Sequence, residues 1–78
     1  MSRSRPTPYR ELAGVLEGLP LLLREARRAR GLSLRAAAGE IGMSFSTVTR
    51  IEEGVDCVLS NAVAVLLWLD QTPGGVRR

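Results

Sequence analysis

Between positions 44 and 50 the chain reads Ser-Phe-Ser-Thr-Val-Thr-Arg, which gathers four hydroxyls, a phenyl ring and a guanidinium into one short stretch. At helical spacing that stretch covers about two turns. Such groups form hydrogen bonds and apolar contacts, but they do not cleave bonds without an activating base. The chain has no histidine. That removes the commonest general base, the commonest activator of a nucleophile and the commonest zinc ligand together. Cys57 is the single cysteine, so it forms no internal disulfide and belongs to no cysteine metal cluster; it reads as a small packed residue. No enzyme activity, metal or cofactor is expected. The chemistry on offer is recognition.

Recognition side chains need a scaffold, and Ala38, Gly42, Val48 and Ile51 supply its signature. Two helices joined by a tight turn require a small residue where they touch, a residue tolerant of positive φ in the turn, and apolar residues on the second helix pointing inward. Ala38 meets the first need, Gly42 the second, and Val48 with Ile51 the third. With these turned inward, Phe45, Ser46, Thr49 and Arg50 fall on the outer face of the second helix. A helix presented in this way fits the major groove of duplex DNA.

The remaining elements follow from periodicity and punctuation. Residues 1–8, with two prolines and no apolar repeat, read as a flexible basic arm. Tyr9, Leu12, Ala13 and Leu16 share one helical face, closed by Gly18 and Pro20. A second helix is expected from Pro20 to Arg30, ended by Gly31 in a left-handed conformation. Ser33 caps a third from Leu34 to Ile41, with Ala37, Ala38 and Ile41 facing inward, and Ser44 caps a fourth that ends at Gly54. Ser60 is expected to cap a fifth from Asn61 to Leu69. That run is apolar and β-branched enough to suit a buried strand as well; the serine and the helical neighbours favour helix. Residues 71–78 read as a flexible tail. The domain proper is expected over 9–70, with the paired helices at 34–53.

Charge points the same way. All eleven basic residues are arginine. Residues 1–39 carry eight of them against three acids, net +5, and residues 40–78 carry three against five, net −2. A basic first half suits an anionic partner, nucleic acid ahead of membrane. The longest uncharged apolar run, Ala62 to Leu69, is far short of the roughly 20 residues that span a bilayer. With no apolar stretch in the first ten residues, a cytoplasmic, reduced location is expected.

Three segments carry a resemblance: Arg-Gly-Leu-Ser at 30–33, Gly-Met-Ser-Phe-Ser-Thr-Val-Thr-Arg-Ile-Glu-Glu-Gly at 42–54, and Trp68-Leu69. Over Leu19 to Leu69 the chain resembles the helix-turn-helix domains of the Cro and phage-repressor type, also called the xenobiotic-response-element family. The resemblance implies an all-α, five-helix lambda-repressor-like DNA-binding domain, here with an N-terminal helical extension. It also implies a sequence-specific transcriptional regulator, such as a phage or prophage Cro-like repressor, often dimeric on a palindromic site. Phe45, Ser46 and Arg50 then fall where the family reads base edges, and Ser44 and Thr47 where it meets phosphates. Thr49, on the same outer face, joins the base readers. Arg35, in the first turn of its helix, is a further phosphate candidate. The chain departs from the family at Leu34, often glutamine; at Phe45, usually polar; and at Glu53 and Asp56, which bring negative charge toward the backbone.

Other readings compete at several positions. Arg50 has Glu53 three residues on as a rival ion-pair partner, base contact being the favoured reading, and Arg35 is equally readable as a surface arginine. The arginines between 24 and 30 read as a solvated face, and Arg3 and Arg5 as a disordered terminus or a groove-tracking arm. The apolar last helix needs cover beyond its own small core, and Val65, Leu67 and Trp68 are the candidate homodimer seam, with Leu21 and Leu22 beside it or under the first helix. Two rivals remain: an antitoxin-like DNA-binding protein whose last helix docks a partner, and an interaction module that has lost DNA binding.

Overall fold

The structure, a computed structural model, describes residues 7–55 and 57–71. Most of the expected arm and tail, together with Asp56, lies outside the described residues. Five helices follow one another: α1 (Pro8–Glu17), α2 (Leu19–Ala29), α3 (Leu34–Ile41), α4 (Phe45–Glu52) and α5 (Leu59–Asp70). Among the described residues there is no strand, so the apolar run at 62–69 is helical.

Local chemistry explains most of the boundaries. Thr7, Ser33 and Ser44 are N-caps whose hydroxyls accept from the amides of Arg10, Ala36 and Thr47 at 3.1, 3.0 and 3.1 Å. Each such cap contributes about 1 kcal/mol by satisfying an otherwise orphaned donor. Gly18 both ends α1 and precedes α2, which starts at Leu19, one residue ahead of the expected Pro20. Ser60 is not the cap of α5. Val58 holds that position without a side-chain bond, its carbonyl accepting from Asn61 and Ala62 at 3.0 and 3.1 Å, and Ser60 lies inside the first turn. The start of α5 is set by its buried face, Ala62, Val65 and Trp68, and not by a polar cap.

The core joins four helices: Leu19 and Leu23 of α2, Ala38 of α3, Val48 and Ile51 of α4, and Ala62, Val65 and Trp68 of α5. Burial of a side chain such as Leu23, Val48, Val65 or Trp68 stabilises by about 1.5–3 kcal/mol. Two expected seam residues are therefore corrected. Val65 is 0% and Trp68 2% exposed, so both belong to the subunit's own core; only Leu67, at 62%, faces out. Helix α1 packs on α2 but buries no residue, and Tyr9, Leu12 and Leu16 remain exposed along it.

The arginines of α2 do not form a simple solvated face. Arg27 grips the carboxylate of Glu52 with two bonds, Nε at 2.7 Å and Nη2 at 3.1 Å, and its Nη1 donates to the Leu32 carbonyl at 3.2 Å. Arg24 adds a bond to the Glu52 carbonyl at 3.3 Å. The Glu52 carboxylate holds the Arg27 guanidinium above its ordinary pKa, mainly through the hydrogen bond. Arg30 lies 4.2 Å over the Trp68 ring and donates to the carbonyls of Trp68, Leu69 and Gln71 at 3.2, 3.2 and 3.0 Å. It thus covers the orphan carbonyls at the C-terminus of α5. Trp68 Nε1 donates to Glu40 at 2.9 Å, which ties α5 to α3. Among the described residues, no buried side-chain polar atom lacks a partner.

Candidate nucleic-acid interface

The turn between α3 and α4 fixes where the recognition side chains point. Gly42 has φ 92°, a left-handed conformation that costs most L-residues about 1–2 kcal/mol. From it, the amides of Gly42 and Met43 both donate to the Ala38 carbonyl, at 2.8 and 3.1 Å, closing α3 while the chain reverses. Ala38 is only 4% exposed, and its methyl group leaves room for α4 to lie against α3.

Helix α4 is held from its inner face. Val48, Ile51 and Glu52 are buried, the first two in the apolar core and the third in the grip of Arg27. That leaves the opposite face outward. Phe45, Ser46 and Arg50 are exposed, and Thr47 and Thr49 are half-buried. Among the described residues, no ion pair or hydrogen bond engages the Arg50 guanidinium; its expected rival pairing with Glu53 does not form. Thr49 donates its hydroxyl proton to the Phe45 carbonyl at 3.0 Å, so the lone pairs of Oγ1 remain for an incoming donor. Ser44 Oγ and Thr47 Oγ1 lie 2.8 Å apart at the N-terminus of α4. Arg35 reaches across from α3 and sits 4.4 Å over the Phe45 ring. The expected base and phosphate residues therefore occupy one surface formed by α4 and the first turn of α3.

Glu52 is the functional support that sequence reasoning missed. Its signal was present: it lies four residues after Val48, on the inner face, where a carboxylate needs a buried partner. The partner, Arg27, is 25 positions away and carries no local cue. Leu34 packs against the core, so the position where the family often has a polar brace is here apolar support.

The other concavities offer less chemistry. One apolar cleft of about 500 Å³ is lined by Leu16, Leu19, Pro20, Ile51, Val55 and Leu59 among others, with Glu17 the one charged group among the described residues that line it. Among the described residues no convergent polar set is present there to orient a small ligand. Among the described residues no group of three or more His, Cys, Asp or Glu is placed to hold a metal ion, and no helix is long and apolar enough to cross a membrane.

No curated protein and no solved structure matches the chain. Residues 19–72 do match a family described as helix-turn-helix domain, a span that takes in α2 to α5 and leaves α1 outside. An α3–turn–α4 unit closed by Gly42, with α4 anchored inward and its hydroxyl and guanidinium face turned out, is the arrangement such domains use against duplex DNA. The chain belongs to the helix-turn-helix domain family, and with it to a class of DNA-binding regulators.

Proposed function

We propose that the chain is a sequence-specific, double-stranded-DNA-binding transcriptional regulator of the phage or prophage Cro-like repressor kind, acting in the cytoplasm of the cell or phage host. One observation carries the reading: α4 is fixed by Val48, Ile51 and Glu52, while Phe45, Ser46 and Arg50 stand exposed on its other side. In this mechanism α4 enters the major groove. The hydroxyls of Ser44 and Thr47 contact phosphates and set register. Arg50, with no ion pair among the described residues, makes a bidentate contact to guanine O6 and N7, Ser46 and Thr49 bond to neighbouring base edges, and Phe45 packs on a thymine methyl group.

A homodimer on a palindromic site completes the proposal. With Val65 and Trp68 buried, the seam moves to Leu59, Val63 and Leu67, which recur every four residues along the exposed side of α5. Three large apolar side chains in one stripe call for cover. Pairing there would let two α4 helices enter successive major grooves about 34 Å apart.

The test is selection from a random duplex library, followed by binding at two salt concentrations. Arg50→Ala should weaken the selected site by about 1–3 kcal/mol and relax preference at one base pair while leaving random DNA nearly unaffected. Equal losses on selected and random duplex would contradict base reading by Arg50. Absent or salt-independent binding to any duplex would favour an interaction module instead.

A further inference from the structure

The position of Arg35 offers more than a phosphate anchor needs. Its guanidinium carbon lies 4.4 Å over the centre of the Phe45 ring, although the two residues come from different helices on either side of the turn. A phosphate contact needs only positive charge at reach, and a flexible exposed arginine supplies that without stacking. Stacking does something else. It places the guanidinium over the ring, and among the described residues no hydrogen bond or ion pair uses its N–H groups, which remain available to donate. It also fixes a long side chain that would otherwise lose rotamer freedom on binding.

We propose that Arg35 and Phe45 form a single two-level reading unit, in which the guanidinium edge binds a guanine and the phenyl ring meets the methyl group of a thymine in the adjacent base pair. This rests on the reading of the chain as a major-groove binder. The spacing supports it: the 4.4 Å between the guanidinium carbon and the ring centre is little more than the rise between stacked bases, about 3.4 Å. An arginine in bidentate contact with guanine lies near the plane of that base. A ring stacked on the guanidinium is then level with the next base pair. At that level only thymine offers an apolar group, its 5-methyl, in the major groove. Phe45 is 37% exposed and Arg35 is also exposed, so both are accessible on the face that carries Ser46 and Arg50. The departure from a polar residue at position 45 acquires a use: the ring is both platform for Arg35 and contact for the methyl.

The unit is tested with the full chain on duplexes selected from a random library. Wild type should enrich a motif containing a fixed guanine beside a fixed thymine. Replacing that thymine with deoxyuridine removes the methyl alone and should weaken binding about three- to fourfold. Arg35→Lys keeps the charge but loses the planar fork, so discrimination for that guanine should fall about tenfold while the salt slope stays unchanged. Phe45→Leu should reduce discrimination at both positions together. A Lys variant that keeps the guanine preference, or a selected motif without an adjacent guanine and thymine, would overturn the proposal and leave major-groove binding by α4 intact. No enrichment of any motif would defeat the DNA-reading assignment itself, and this one with it. The deoxyuridine arm uses unaltered protein and so is independent of how any variant folds.

Discussion

Glu52→Ala is the perturbation with the largest expected effect on the scaffold that presents α4. The carboxylate side chain is 7% and the Arg27 side chain 15% exposed, and two bonds of 2.7 and 3.1 Å join them. Removing one partner of a buried pair costs about 3–5 kcal/mol, chiefly because the other charge is left without compensation. The lower end applies here, since Arg27 keeps its bond to the Leu32 carbonyl and Arg24 nearby is partly solvated. A loss of about 3 kcal/mol in a domain of this size lowers the melting temperature by about 12–24 °C. Glu52→Gln keeps the shape and one acceptor and should lose about half as much. Because the pair raises the Arg27 pKa, its contribution is fully present below the ordinary arginine value and is lost only as pH rises through the higher folded-state value. On the arginine side, the difference between wild type and Glu52→Ala should therefore stay constant through the neutral range. Helical circular dichroism followed with temperature at several pH values reads both quantities. A Glu52→Ala protein that melts within a few degrees of wild type would refute the claim that this pair fixes α4 on α2.

Three further outcomes follow from the same contacts. Gly42→Ala should destabilise by about 1–2 kcal/mol through backbone strain alone, since a Cβ there meets nothing within 4 Å, whereas Gly39→Ala inside α3 should stabilise by about 0.5–1 kcal/mol; thermal melts of the two variants should move in opposite directions. Arg30→Ala removes the contact over Trp68 and three carbonyl bonds and should cost about 1.5–3 kcal/mol in denaturant unfolding, with fraying of the last turn of α5 visible as faster amide exchange. Leu67→Glu should leave the monomer's stability within about 0.5 kcal/mol yet shift sedimentation equilibrium toward monomer; an unchanged dimer would place the seam elsewhere.

The helix-turn-helix unit was legible because its cues are local. Ser33, Gly42, Ser44 and Gly54 bracket α3 and α4, and the spacing of Ala38, Val48 and Ile51 states which sides face inward. Helix α5 was legible only in part. Its residues are apolar on every side, so periodicity could not tell the core-facing Val65 and Trp68 from the outward Leu67; packing against α2 and α3 decides that. For α1 the amphipathic pattern was plain, but a pattern does not guarantee burial, and the helix fully buries none of its apolar residues. The arginines of α2 were counted as charge because their partners, Glu52 and the end of α5, lie 25 to 41 positions away. The contact between Arg35 and Phe45 was hidden for a related reason. It depends on how tightly Gly42 folds α4 back on α3.

The central claim is that the outward face of α4, with the first turn of α3, is the surface that meets duplex DNA. Backbone amide shifts of isotopically labelled protein, titrated with a library-selected duplex, test it most directly. The largest changes should fall on Ser44 to Arg50 and on Arg35, with the buried positions Leu23 and Val65 little altered. Changes confined to α1 and the exposed stripe of α5, with α4 silent at saturating duplex, would contradict the account.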